Sequence, residues 1–141
     1  MMLPLVLVHE RERRVAEALR IPAAEARWLL REPRRQEQIV RLLRRRGPGV
    51  FIVQISAAPE KDLALLQRVR EASPETGIIA VLDRENPQLA GLAWDLGAHM
   101  VFFAPIVPAA LAETAARLLR PLHAQAETSI PMAEPDVEQR P

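Results

Sequence analysis

Four side chains of this 141-residue chain could meet as a reactive set: His9, Glu10, Gln54 and Asp83. Each closes or directly follows a short apolar run. In parallel α/β sheets, ligands bind where such runs end, at the carboxyl edge of the strands. A divalent metal accepts ligands of the His9, Glu10 and Asp83 types. Exposed polar residues are also what strand-end loops ordinarily contain, and no metal is assigned to them. The middle run ends on Gln54, an amide with no carboxylate beside it.

Other chemistries can be tested on the same residues. No GxGxxG and no GxxxxGK[ST] occurs, and the first apolar run leads into His9-Glu10-Arg11-Glu12 without a glycine. Backbone could not approach a pyrophosphate closely at such a turn. The DxHxxG loop of a cobalamin site is also missing. Ser56, Ser73 and Ser129 lie outside any nucleophile-elbow sequence, and His99 and His123 have no nearby partner that would make a base. No catalytic residue, cofactor or enzymatic activity is therefore expected. The absence of cysteine excludes disulfides and thiolate metal sites.

The composition, 49% apolar and 26% charged, is that of a soluble globular protein, and the length suits one domain with a sizeable core. The run Met1–Val8 lacks a basic n-region and a cleavage site, and is far too short to span a bilayer. It reads as a buried strand, with a cytoplasmic location as the default and no membrane partner.

Charge is unevenly spread. Residues 1–46 hold twelve Arg against six Glu, a balance of +6, and the remainder is negative. A nucleic-acid face would use Arg34, Arg35, Arg41, Arg44, Arg45 and Arg46, and its binding would depend strongly on salt. No aromatic residue interleaves these arginines for stacking, and no helix-turn-helix or RNA-binding signature accompanies them. Two solvated helices account for the charge more simply, so nucleic acid ranks as an alternative.

These residues need elements to position them. Leu3–Val8 reads as a strand buried on both faces. Glu12–Arg20 has Val15, Ala18 and Leu19 at helical spacing and is closed by Pro22. Arg27–Arg31 is a second short strand, and Arg34–Arg46 a helix with Ile39, Val40, Leu42 and Leu43 on one face. Gly47-Pro48-Gly49 ends it and launches the strand Val50–Ile55.

A helix over Glu60–Ala72, a strand over Gly77–Leu82 and a helix over Pro87–Leu96, stopped by Gly97, come next. Val101–Ala104 is a fifth strand and Pro108–Arg120 a last amphipathic helix. After Pro121 periodicity is lost, so residues 1–121 form the domain and 122–141 a disordered tail or linker remnant. Five strands alternating with five helices predict an α/β fold, a flavodoxin-like three-layer sandwich of sheet order 2-1-3-4-5.

From Val50 to Leu119 the chain resembles the receiver (CheY-like) domain of bacterial response regulators. The third strand of that family ends in a phosphoacceptor Asp, followed by a helix of the form Leu-x-Leu-Leu-x-x-Ile-Arg. Here the same spacing reads Gln54-Ile55-Ser56, then Leu63-Ala64-Leu65-Leu66-Gln67-Arg68-Val69-Arg70. Ser73-Pro74-Glu75-Thr76 and Ile78–Leu82 are similar to its turn and fourth strand. Leu96-Gly97-Ala98 is similar to its helix stop, and Ala104-Pro105 stands where it has Lys-Pro. The N-terminal half matches in element order, so the resemblance covers about residues 3–120.

The resemblance also shows what is missing. The phosphoacceptor is Gln54, whose amide cannot attack phosphorus. The acidic pair that holds Mg²⁺ falls on His9 and Glu10, and Glu10 alone should hold it weakly. The hydroxyl that senses the phosphoryl group is Leu82, the strand-five Lys is Ala104, and the aromatic switch is Val101. With Asp83, these residues outline a degenerate phosphorylation pocket. The Ala104–Pro105 bond is expected to be cis, as the family's commonly is.

What the resemblance implies is a pseudo-receiver that binds another signalling or regulatory protein without phosphorylation. Receivers signal or dimerise through the face of the fourth helix, fifth strand and fifth helix. The expected contacts there are His99, Met100, Val101, Ile106, Val107 and Arg117, and a homodimer would use the same face. Trp94 could anchor a partner, but its spacing to Gly97 suggests a core position. A further alternative is a small-ligand or ion sensor, in which Leu82 and Ala104 open room beside His9, Glu10, Gln54 and Asp83.

Overall fold

The computed structural model describes residues 2–128. Ten elements alternate along the chain: β1 Leu5–His9, α1 Arg14–Ala26, β2 Leu29–Arg31, α2 Gln36–Arg46, β3 Val50–Ile55, α3 Glu60–Ala72, β4 Gly77–Leu82, α4 Pro87–Leu96, β5 Met100–Phe103 and α5 Pro108–Thr128. All strands are parallel, in the order β2-β1-β3-β4-β5. This is the expected flavodoxin-like arrangement.

The continuous apolar runs are explained by helices on both faces of the sheet. Alternate residues of the strands feed two separate cores. Leu7, Phe51, Val53, Ile78 and Leu82 pack with Ile39, Leu65, Leu66 and Ala93 of α2, α3 and α4. Val6, Val8, Ile52, Ile79 and Val81 pack with Val15, Leu19, Leu111 and Ala115 of α1 and α5. Each fully buried Leu, Ile or Phe contributes about 1.5–3 kcal/mol relative to exposure. Among the described residues, no helix is long and apolar enough to cross a membrane.

The middle elements match the sequence reading to the residue, while several ends differ. Helix α1 begins at Arg14 and runs through Pro22 to Ala26 instead of closing at Arg20. Pro22 removes one helical hydrogen bond, but Leu19 and Ala23, four residues apart, are both buried, and their packing holds the extra turn. The helix stops at Arg27, which adopts a left-handed φ of 61°. Trp28 then donates to the Ala23 carbonyl at 2.9 Å, so β2 starts two residues later than expected, at Leu29.

Helix α2 begins at Gln36 and not Arg34, because Arg35 is extended and its N–H is bound by the Gln38 side chain at 3.4 Å. Strand β5 is displaced by one residue, its pairing with β4 beginning at Ile79 and Met100. Helix α5 passes Pro121 and reaches Thr128, where an end near Arg120 was expected. Proline's fixed φ is compatible with a helix, so α5 continues although Pro121 gives up one hydrogen bond and its ring crowds the carbonyl four residues back. Residues 122–128 are therefore helical, and 129–141, the rest of the expected tail, lie outside the described residues.

Candidate functional site

At the carboxyl edge of the sheet, β1 and β3 deliver His9, Glu10 and Gln54 to one cleft of about 640 Å³. Its walls include Arg11, Arg13, Glu32, Pro33, Arg34 and Lys61. Gln54 is committed at both ends of its amide. Its Oε1 accepts the Arg11 N–H at 2.8 Å, and its Nε2 donates to Asp83 Oδ1 at 2.8 Å. The side chain thereby joins the loop after β1 to the loop after β4.

Glu10 is equally committed. Helix α1 has no side-chain cap at its own N-cap residue, Arg13. Glu10 reaches over it, and its two oxygens accept the Val15 and Ala16 N–H groups, both at 2.9 Å. Those are orphan donors of the first turn, and a carboxylate also suits the positive end of the helix dipole. His9 is half-buried, and its Nδ1 lies 3.2 Å from the Pro33 carbonyl. A carbonyl only accepts, so Nδ1 carries the proton.

Two further pairs frame the cleft. Arg13 Nε and Nη2 donate to the Glu32 carboxylate at 3.1 and 2.9 Å, across from α1 to the loop after β2. This hydrogen bond and the Glu32 charge hold the Arg13 pKa above its ordinary value. Buried Ser56 donates from both its backbone N–H and its hydroxyl to Asp62 Oδ2, each at 2.9 Å. Asp62 thus closes the loop after β3 onto the first turn of α3. The sequence reading missed both pairs; for Ser56 and Asp62, an acid in the first turn of a helix after a serine was the available signal.

Asp83, Leu82 and Ala104 do not join the cleft. Asp83 touches it only through Gln54 and lines a separate hollow of about 460 Å³ with Arg84, Asn86 and Leu92. Leu82 is buried in the core beneath α3 and α4, so it opens no room beside His9. Ala104 donates its N–H to the Leu82 carbonyl at 2.8 Å, and its bond to Pro105 is cis as expected.

The donor set does not fit a magnesium ion. Each Glu10 oxygen accepts a backbone N–H, which holds the carboxylate against the end of α1, and the Gln54 oxygen accepts the Arg11 N–H. One Asp83 oxygen is taken by Gln54. Among the described residues, no three His, Cys, Asp or Glu side chains gather as metal ligands would. Mg²⁺ dehydrates only for concentrated carboxylate charge with near-octahedral geometry.

The expected contact residues spread over the other edge of the sheet. His99 lies at the amino end of β5, away from the cleft, and continues the ladder. Its N–H donates to the Ile78 carbonyl at 2.7 Å, and its Nδ1 accepts the Ile78 N–H at 2.9 Å. Met100, Val101 and Ile106 are half-buried against the two cores. Val107 is 61% exposed, and Arg117 is exposed and lies 3.5 Å from Glu113. Trp94, whose spacing suggested the core, is 47% exposed. Its helix buries Ala90 and Ala93 instead, so small residues seat α4 on the sheet and leave the indole outside.

No family model matches the chain, and no curated protein matches it. Solved structures do. A response regulator from Thermotoga maritima superposes with a TM-score of 0.70 at 19% identity, over 84% of this chain and 99% of that one. A CheY-like receiver domain protein from Methanospirillum hungatei gives 0.67 at 12% identity, over 88% and 99%. The receiver domain of NtrX from Brucella abortus gives 0.68 at 21% identity, over 82% and 98%. The chain shares the fold of response-regulator receiver domains.

Proposed function

We propose that this chain is a phosphorylation-independent pseudo-receiver, a module without enzymatic activity that binds another signalling or regulatory protein in the bacterial cytoplasm. One observation carries the reading. At the end of β3, where receivers have their phosphoacceptor, the Gln54 amide is hydrogen-bonded to both neighbouring loops. It has no nucleophilic oxygen to offer, and it ties together the segments a phosphoryl switch would move. Glu10, the one remaining carboxylate of the acidic pair, serves as a helix cap.

The binding surface in this reading is the edge made by α4, β5 and the loop into α5. Trp94, Phe103 and Val107 are exposed there. An indole is the side chain most often found as an interface anchor. A second copy of the chain could use the same edge, giving a homodimer.

The test is thermal unfolding with and without Mg²⁺ plus beryllofluoride, the mimic of an acyl phosphate. A ligand that binds only the folded state raises the melting temperature once it exceeds its dissociation constant. The melting temperature is expected to stay unchanged. A rise that requires Mg²⁺ would show a working acidic pocket and overturn the reading.

A second reading is favoured by the 640 Å³ cleft beside Gln54, whose rim carries Arg34 and Lys61 without an ion-pair partner among the described residues. A small anion seated there would act as the trigger in place of a phosphoryl group. It would register in the same melting experiment without Mg²⁺.

A further inference from the structure

The arginines of this protein fall into two populations. Arg13, Arg14, Arg20 and Arg117 each lie within 4.0 Å of a carboxylate. Among the described residues the other thirteen do not, and they include Arg34, Arg35, Arg41, Arg44, Arg45 and Arg68. Four of this second group, Arg41, Arg44 and Arg45 from α2 with Arg68 from α3, surround one hollow of about 420 Å³. Glu37 is the single acid on its wall, and Arg68 reaches the Gln36 side-chain oxygen at 3.4 Å.

These arginines lie on the solvated faces of α2 and α3, yet their charge is more concentrated than solvation of a helix requires. Arg41, Arg44 and Arg45 are spaced three and four residues apart on one helix, where like charges repel. The helix dipole offsets this for Arg44 and Arg45 in the last turn of α2, but not for Arg41, a turn earlier, or for Arg68 on another helix. We infer that the exposed face of α2, completed by Arg68, binds the phosphate backbone of a nucleic-acid duplex without reading its sequence.

The hollow itself selects this partner. A protein partner held through exposed ion pairs alone gains little, and the hot spots of stable protein interfaces sit in well-packed, fully desolvated pockets. Val40, the apolar residue of this hollow, is only 8% exposed. A duplex needs no anchor, because neutralising its phosphates releases condensed counterions. With no aromatic side chain lining the hollow, single-stranded bases have nothing to stack on. Helix α2 is 11 residues long, about 16 Å, enough to follow several phosphates of one strand, whose charges recur about every 3.4 Å of axis. This face is separate from the α4–β5 edge and does not depend on it, since β2 and β5 are opposite edges of the sheet.

The experiment is fluorescence anisotropy of the full chain with a labelled DNA duplex of arbitrary sequence, about 20 base pairs long, across a salt series. Four phosphate contacts predict a slope of log K against log salt of about −3 to −4, or roughly 100-fold weaker binding from about 50 to about 200 mM salt. The variant Arg41→Gln/Arg44→Gln/Arg45→Gln should bind at least about tenfold more weakly and lose about 2–3 from the slope. These side chains are not in the buried core, and circular dichroism checks that the variant stays folded. The control Arg14→Gln/Arg20→Gln removes ion-paired charge from α1 and should bind within about twofold of the unmodified protein. Absence of binding at low salt, or an equal loss in the control, overturns the inference. So does displacement of the duplex by poly-L-glutamate at equal charge, which would mark the face as a site for acidic protein.

Discussion

Gln54 Nε2 stands 2.8 Å from Asp83 Oδ1, so the end of β3 and the loop after β4 are joined by a neutral donor and an acceptor. A carboxylate at position 54 would face Asp83 with no proton between them. The substitution that restores an acid here therefore works against the present geometry.

Gln54→Glu keeps the acceptor for the Arg11 N–H but loses the donor to Asp83 and sets two carboxylates together. It is expected to destabilise the fold by about 0.5–1.5 kcal/mol at neutral pH, the net contribution of a typical hydrogen bond, because Asp83 is exposed and water can satisfy its oxygen. Urea denaturation monitored by tryptophan fluorescence measures it. A variant as stable as the parent would mean the Gln54–Asp83 bond does not persist in solution.

Glu10 supplies the cap that α1 lacks at Arg13. Glu10→Ala should cost about 1–2 kcal/mol, as for loss of an N-terminal cap, and Glu10→Gln less, since one amide oxygen can still accept. Hydrogen exchange at the Val15 and Ala16 amides is the specific readout. Both should exchange faster in Glu10→Ala, while amides of α3 stay protected.

Trp94 and Leu66 provide a matched contrast. The indole is 47% exposed and Leu66 is fully buried. Leu66→Ala should cost about 2–5 kcal/mol, and Trp94→Ala under about 1 kcal/mol despite the larger side chain removed. If Trp94→Ala proved the costlier change, the indole would be packed, and the proposed binding edge would lose its anchor.

Arg27 holds a left-handed φ of 61° without being glycine. That conformation costs a side-chain-bearing residue about 1–2 kcal/mol. Arg27→Gly relieves it, partly offset by the freer unfolded chain. A gain of about 0.5–1 kcal/mol in thermal unfolding is expected, and a loss would show that the Arg27 side chain makes a compensating contact.

The fold was largely legible because the strands and the helices α3 and α4 are local statements. Val50–Val53 and Ile78–Leu82 are unbroken apolar runs, and Gly97 stops α4 with a φ of 124° that only glycine adopts without strain. The helix ends were less legible. Pro22 and Pro121 read as terminators, yet burial of Leu19 with Ala23 carries α1 past its proline, and α5 also continues.

Of the candidate site, the residue types at the strand ends could be read, but not their partners. Nothing local in His9-Glu10-Arg11 says that Glu10 turns back to cap the next helix. Nothing near Gln54 says that it will find Asp83, 29 residues on. Leu82 and Trp94 were misplaced for one reason. Side-chain direction at an element's end depends on which neighbours bury it, and those neighbours are distant in sequence.

The sheet has two rims of different character. Beside β1 the outermost strand, Leu29–Arg31, ends in a charged residue, whereas Met100–Phe103 on the far side is four uncharged apolar residues. Its outward backbone groups have no neighbouring strand, the condition under which another chain can anneal. Two features limit the hazard: the strand is short, and Pro105 follows two residues on with no N–H to extend a ladder. Concentrated solutions held near the unfolding temperature should therefore clump from this rim first, with light scattering rising before secondary structure is lost. The proline next to it works as a gatekeeper against that fate.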